Sequence, residues 1–99
     1  MNCIRTDNEN ESRLKIEGAV DALTASEIRP IFDQVVADRK KRVIVDIEAV
    51  TMIDSSGVGA IVSLFKRVKA EGGQVLVVGA KDQPLAVFKL LKLDRVFGL

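Results

Sequence analysis

Residues 43–68 read VIVDIEAVTMIDSSGVGAIVSLFKRV, and they decide the fold because a strand pattern gives way to a helix pattern inside them. Val43-Ile44-Val45-Asp46-Ile47 is a nearly continuous β-branched run, the mark of a strand covered on both faces by helices and central in its sheet. After Gly57 the apolar residues Val58, Ile61, Val62, Phe65 and Val68 fall at helical spacing, with Lys66, Arg67 and Lys69 on the other side. Asp54-Ser55-Ser56-Gly57 lies between the two patterns, beyond the carboxyl end of a central strand, where sites collect in open α/β sheets. The first turn of a helix leaves backbone N–H groups without partners. An oxygen of Asp54, Ser55 or Ser56 can cap them, and a phosphate there would meet free N–H groups and a favourable dipole. Plain capping uses the same residue types, so spacing alone leaves a cap and a phosphoacceptor or anion site both open.

Working outward, residues 12–17 alternate, with Leu14 and Ile16 facing one way and Arg13, Lys15 and Glu17 the other. This strand pairs with Asn2–Thr6 through the turn residues Asp7-Asn8-Glu9-Asn10, giving a hairpin at the sheet edge, and Gly18 ends it. Thr24-Ala25-Ser26-Glu27 has capping-box spacing, and Ile28, Ile31, Phe32, Val35 and Val36 form the apolar stripe of a helix ending near Arg39. Pro30 conflicts with a cap at Thr24, so the helix starts later or its first turn is kinked. Beyond Gly72-Gly73, Val75–Val78 is a buried strand. A third helix follows, capped by Asp82, with Pro84 in its first turn and Val87, Phe88 and Leu91 buried, before the tail Leu93–Leu99. The expected fold is α/β: one domain over residues 1–99, a small mixed β-sheet with an N-terminal hairpin and helices packed against it.

Composition removes several function classes. With no histidine a Ser-His-Asp relay cannot be built, and one cysteine, Cys3, cannot assemble a zinc site. Neither serine has a glycine two places earlier, so the α/β-hydrolase elbow is missing, and no P-loop occurs. Gly57-Val58-Gly59 begins like a dinucleotide fingerprint, but Val62 stands where the third glycine belongs. The two glycines instead allow close backbone approach, either within the fold or against a partner. No metal or cofactor is expected. A net charge of +1 gives no general attraction to nucleic acid or an anionic membrane. Arg39-Lys40-Lys41-Arg42 reads as the solvated end of a helix. No apolar stretch approaches a signal or membrane span, so a cytoplasmic protein is expected.

The whole chain resembles the STAS domain, and within it the stand-alone bacterial anti-sigma-factor antagonists. The resemblance rests on the element order, on Glu17-Gly18-Ala19-Val20-Asp21, on Val43–Ile47, and above all on Ile53-Asp54-Ser55-Ser56-Gly57-Val58-Gly59. It implies that Ser56, the second serine of the pair, is phosphorylated by a partner that is both anti-sigma factor and ATP-dependent serine kinase. It implies further that Asp54, Ser55, Gly57 and the turn around Asp21 face that partner, and that a separate serine phosphatase resets Ser56. The chain would then be a monomeric kinase substrate and not an enzyme. Two other readings belong to different classes: an adaptor subunit of a membrane transport complex, in which the serines only cap, and a small anion- or nucleotide-binding module. A response-regulator receiver would need an acidic pair where this chain has Glu17-Gly18.

Overall fold

The computed structural model describes residues 1–99. Asn2–Asp7 (β1) and Glu11–Val20 (β2) form the antiparallel N-terminal hairpin. Its turn is closed by Asn8, whose Oδ1 accepts from the N–H groups of Asn10 and Glu11 at 3.1 and 2.9 Å, as an Asx turn does. Then follow Ala22–Ala37 (α1), Arg42–Ile53 (β3), Ser55–Ala70 (α2), Gln74–Val78 (β4) and Asp82–Leu90 (α3). The sheet order is β1-β2-β3-β4, with β3 parallel to both of its neighbours. The expected mixed sheet and edge hairpin are present, and β3 is internal.

Leu14, Ile16, Val43, Val45, Ile47, Val75 and Val77 point into one core, where they meet Ile28, Phe32 and Val35 of α1 and Ile61, Leu64 and Val68 of α2. Phe88 of α3 joins through Phe97, whose ring stands edge-on to Phe88 and to Phe65 at centroid distances of 5.7 and 5.3 Å. The expectation that helices cover both faces of β3 is overturned. Ile4, Lys15 and Leu76 lie exposed on the other side of the sheet, and there Arg13 meets Asp46 at 3.1 Å. Leu91, expected in the buried stripe of α3, is also exposed.

Gly18 does not end β2. With φ +92° it takes the strand through irregular pairing, with register shifts on either side, and the strand runs on to Val20. β3 likewise continues past Ile47 to Ile53. α1 starts earlier than its Thr24-x-x-Glu27 spacing suggested. Asp21 is the N-cap and Thr24 the third helical residue, and the two bond reciprocally. Pro30 therefore lies inside α1, where it removes an N–H from the helix ladder, and a continuous helix still forms around it. Ile28, Phe32 and Val35, all buried, offset that cost by holding both sides of the proline to the core. α3 is capped by Lys81 without a side-chain hydrogen bond, and Asp82 lies in its first turn at φ +51°.

Candidate functional site

The end of β3 is fixed from both sides before the chain turns into α2. On one side the Asp54 N–H donates to the Val20 carbonyl at 3.1 Å, tying the ends of β2 and β3 together. On the other, the Gln83 side chain accepts from the Ile53 N–H and donates to the Ile53 carbonyl, both at 2.9 Å. This amide satisfies the last residue of the strand as a neighbouring strand would. Sequence reasoning missed Gln83, because a side chain 30 residues away leaves no mark in local periodicity.

Asp54 then takes extended backbone, φ −112° and ψ −175°, and caps α2. Its Oδ1 accepts from the Ser56 N–H at 2.9 Å and the Gly57 N–H at 3.1 Å. The N–H groups expected to be free for an added phosphate are thus largely occupied by a carboxylate. Gly57 is buried, and a Cβ there would lie 2.7 Å from Ile53 Cγ1, 2.8 Å from Val20 Cγ1 and 2.9 Å from the Val20 carbonyl oxygen. It presents little surface, and its lack of a side chain is required inside the fold.

Ser55 is exposed and Ser56 half-buried. Neither hydroxyl forms a hydrogen bond within the chain, and no buried side-chain oxygen lacks a partner, so the Ser56 hydroxyl reaches solvent. Asp21 lies one strand away, at the start of α1. Its carboxylate accepts from the Thr24 N–H at 3.0 Å, and that bond holds its pKa below the usual carboxylate value. Asp21, Asp54, Ser55 and Ser56 therefore occupy one end of the molecule, where α1 and α2 both begin. The surface concavities are elsewhere. The largest, about 430 Å³, lies beside Cys3, Arg5, Pro30, Ile31 and Gln34, and another, about 390 Å³, is lined by polar residues at the hairpin turn and the start of β3. None of these concavities is lined by the serine turn.

A family model for the STAS domain matches residues 5–99. The anti-sigma-B factor antagonist of Bacillus subtilis is 27% identical over 96 residues, covering 93% of this chain and 84% of that protein. A solved anti-sigma factor antagonist from Mycobacterium paratuberculosis superposes with a TM-score of 0.85 at 23% identity, covering 97% of this chain and 81% of the other. The anti-sigma factor antagonist SpoIIAA in its unphosphorylated form gives 0.83 at 18% identity, covering 99% and 98%. SpoIIAA in its phosphorylated form gives 0.78 at 18% identity, covering 95% and 86%. The match to the family model spans nearly the whole chain, and the protein belongs to the STAS domain family.

Proposed function

We propose that this chain is a cytoplasmic anti-sigma-factor antagonist that works as a partner switch controlled at Ser56. The observation that carries the reading is the Ser56 hydroxyl: unpaired within the chain, open to solvent and held on the first turn of α2 by the Asp54 cap. The relatives' names supply the partner class, and the solved structure of SpoIIAA in its phosphorylated form, which shares this fold, supports a phosphoryl group as the modification. Unmodified, the chain docks this end on an anti-sigma factor that is also a serine kinase and releases the sigma factor held there. In the complex the Ser56 oxygen attacks the γ-phosphorus of the kinase-bound ATP. Its proton passes to a base on the kinase, and ADP leaves. A phosphoryl group adds about −1.5 to −2 charges, and an interface formed around a neutral hydroxyl would have to desolvate them. A thousandfold loss of affinity needs only about 4 kcal/mol. The chain itself performs no catalysis, and a serine phosphatase restores it.

Incubated with the purified anti-sigma kinase of the same genome and ATP, the chain is expected to gain one phosphoryl group, located on Ser56 by peptide mass spectrometry. Modification of Ser55 or Thr51 in its place would overturn the assignment. By calorimetry Ser56→Ala is expected to bind the kinase as the unmodified chain does, and Ser56→Asp at least about a hundredfold more weakly. Equal affinities would remove charge exclusion as the mechanism.

A further inference from the structure

Gly59 is the fifth residue of α2 and is exposed. A glycine inside a helix is a poor choice, because it lowers helix stability relative to alanine through the freedom of the unfolded chain. Such a residue is normally explained by a left-handed backbone or by close packing. Neither applies. The Gly59 backbone is right-handed helical, and beyond its own turn of helix a Cβ built on it meets nothing within 4 Å. Gly57, two residues earlier, would press its Cβ into Val20 and Ile53. The fold therefore requires one glycine of this pair and not the other.

The space that Gly59 leaves empty lies outside the molecule. In a helix, residues three and four apart stand over one another, which sets Gly59 one turn above both Ser56 and Ser55. We infer that Gly59 is a specificity-determining residue for the Ser56 kinase: its missing side chain lets the partner's main chain lie directly against α2 beside the acceptor hydroxyl. This rests on the proposed partner switch and adds a contact to it. Phosphoryl transfer needs the acceptor oxygen about 3–3.5 Å from phosphorus. A methyl group interposed one turn away would hold the two surfaces apart by a distance that such a reaction does not tolerate.

The inference separates folding from binding in a way that an internal role for Gly59 would not. Gly59→Ala is expected to raise the melting temperature by about 2–6 °C, as relief of a helical glycine does. Its affinity for the unmodified anti-sigma kinase, measured by calorimetry, is expected to fall at least about tenfold, and single-turnover phosphorylation of Ser56 to slow by at least as much. Gly59→Gln, a good helix former with a longer side chain, is expected to bind still more weakly. A Gly59→Ala chain that melts higher and is bound and phosphorylated like the original overturns the inference and leaves the Ser56 switch standing. A lower melting temperature overturns it too, since Gly59 would then be needed inside the fold. Failure of the original chain to bind the kinase at all overturns both.

Discussion

The starts of α1 and α2 are built alike and finished differently. Each follows one of two neighbouring parallel strands, and each has an aspartate N-cap in almost the same extended conformation, Asp21 at φ −115° and Asp54 at φ −112°. At α1 the third helical residue is Thr24, and its hydroxyl is fully committed. It accepts from the Asp21 N–H at 2.8 Å and donates to the Ala19 carbonyl at 3.1 Å. At α2 that position is Gly57, which has no side chain to reach back, and the two hydroxyls preceding it bond to nothing in the chain. One helix start uses its hydroxyl for the fold, and the other keeps its hydroxyls available. Capping α2 with the Asp54 carboxylate alone leaves both serine hydroxyls without a partner in the chain.

Breaking the comparison at Gly57 should have the largest effect on stability. A methyl group there must displace the Val20 carbonyl, which is backbone, together with Ile53, so relaxation is costly. We expect Gly57→Ala to destabilise the fold by about 2 kcal/mol, the overpacking cost exceeding the gain in helix propensity. Thermal unfolding should show a fall in melting temperature of about 8 °C or more. An unchanged melting temperature would mean that β2, β3 and α2 can separate at this corner without cost, and the fixed geometry of the Ser56 turn would be lost as an argument.

The hydroxyls themselves sharpen the contrast. Thr24→Val removes two hydrogen bonds from a half-buried site while keeping shape, and should cost about 1–2 kcal/mol by chemical denaturation. Ser56→Ala removes none and should fall within about 0.5 kcal/mol of the original chain. If Ser56→Ala cost as much as Thr24→Val, Ser56 would be a structural cap and its availability to a kinase would lose its basis.

These two helix starts also show what local sequence can and cannot carry. The order of elements is legible because strand and helix periods differ, and β-branched Val43–Ile47 and the stripe Val58–Val68 announce themselves. The Asp54 turn follows from their junction. The start of α1 is ambiguous in the sequence because Thr24-x-x-Glu27 has the spacing of a capping box, while the box that forms is Asp21 with Thr24, the same device with the hydroxyl on the far side. Gly18 reads as a stop in the sequence because glycine serves strand ends and irregular pairings equally well, and here it serves the second. The separate purposes of Gly57 and Gly59 could not be read locally: one is set by Val20, the last residue of a strand distant in sequence, and the other by space outside the molecule. Gln83 escaped for the same reason, its partner being the strand end at Ile53.

The smallest effect concerns phosphorylation and the fold itself, where two electrostatic contributions oppose one another. From helix polarity alone, a phosphate on the first turn of α2 should stabilise, by about 0.3–1 kcal/mol at an exposed position. The structure adds the Asp54 carboxylate, which already holds the Ser56 and Gly57 N–H groups at 2.9 and 3.1 Å and will repel a second anion. At a separation of about 6 Å in solvent that repulsion amounts to roughly 1 kcal/mol for a doubly charged phosphate. The two nearly cancel, so the melting temperatures of the phosphorylated and unmodified chains should agree within about 4 °C while kinase affinity falls steeply. Amide shifts in NMR spectra should change around residues 54–60 and little elsewhere, with Ser56 and Gly57 reporting whether the phosphate displaces Asp54 from the cap. A large fall in melting temperature, or shifts spreading through α1 and the sheet, would show that phosphorylation opens the corner where the two helices start, and the switch would then work by changing the fold and not by charging its surface.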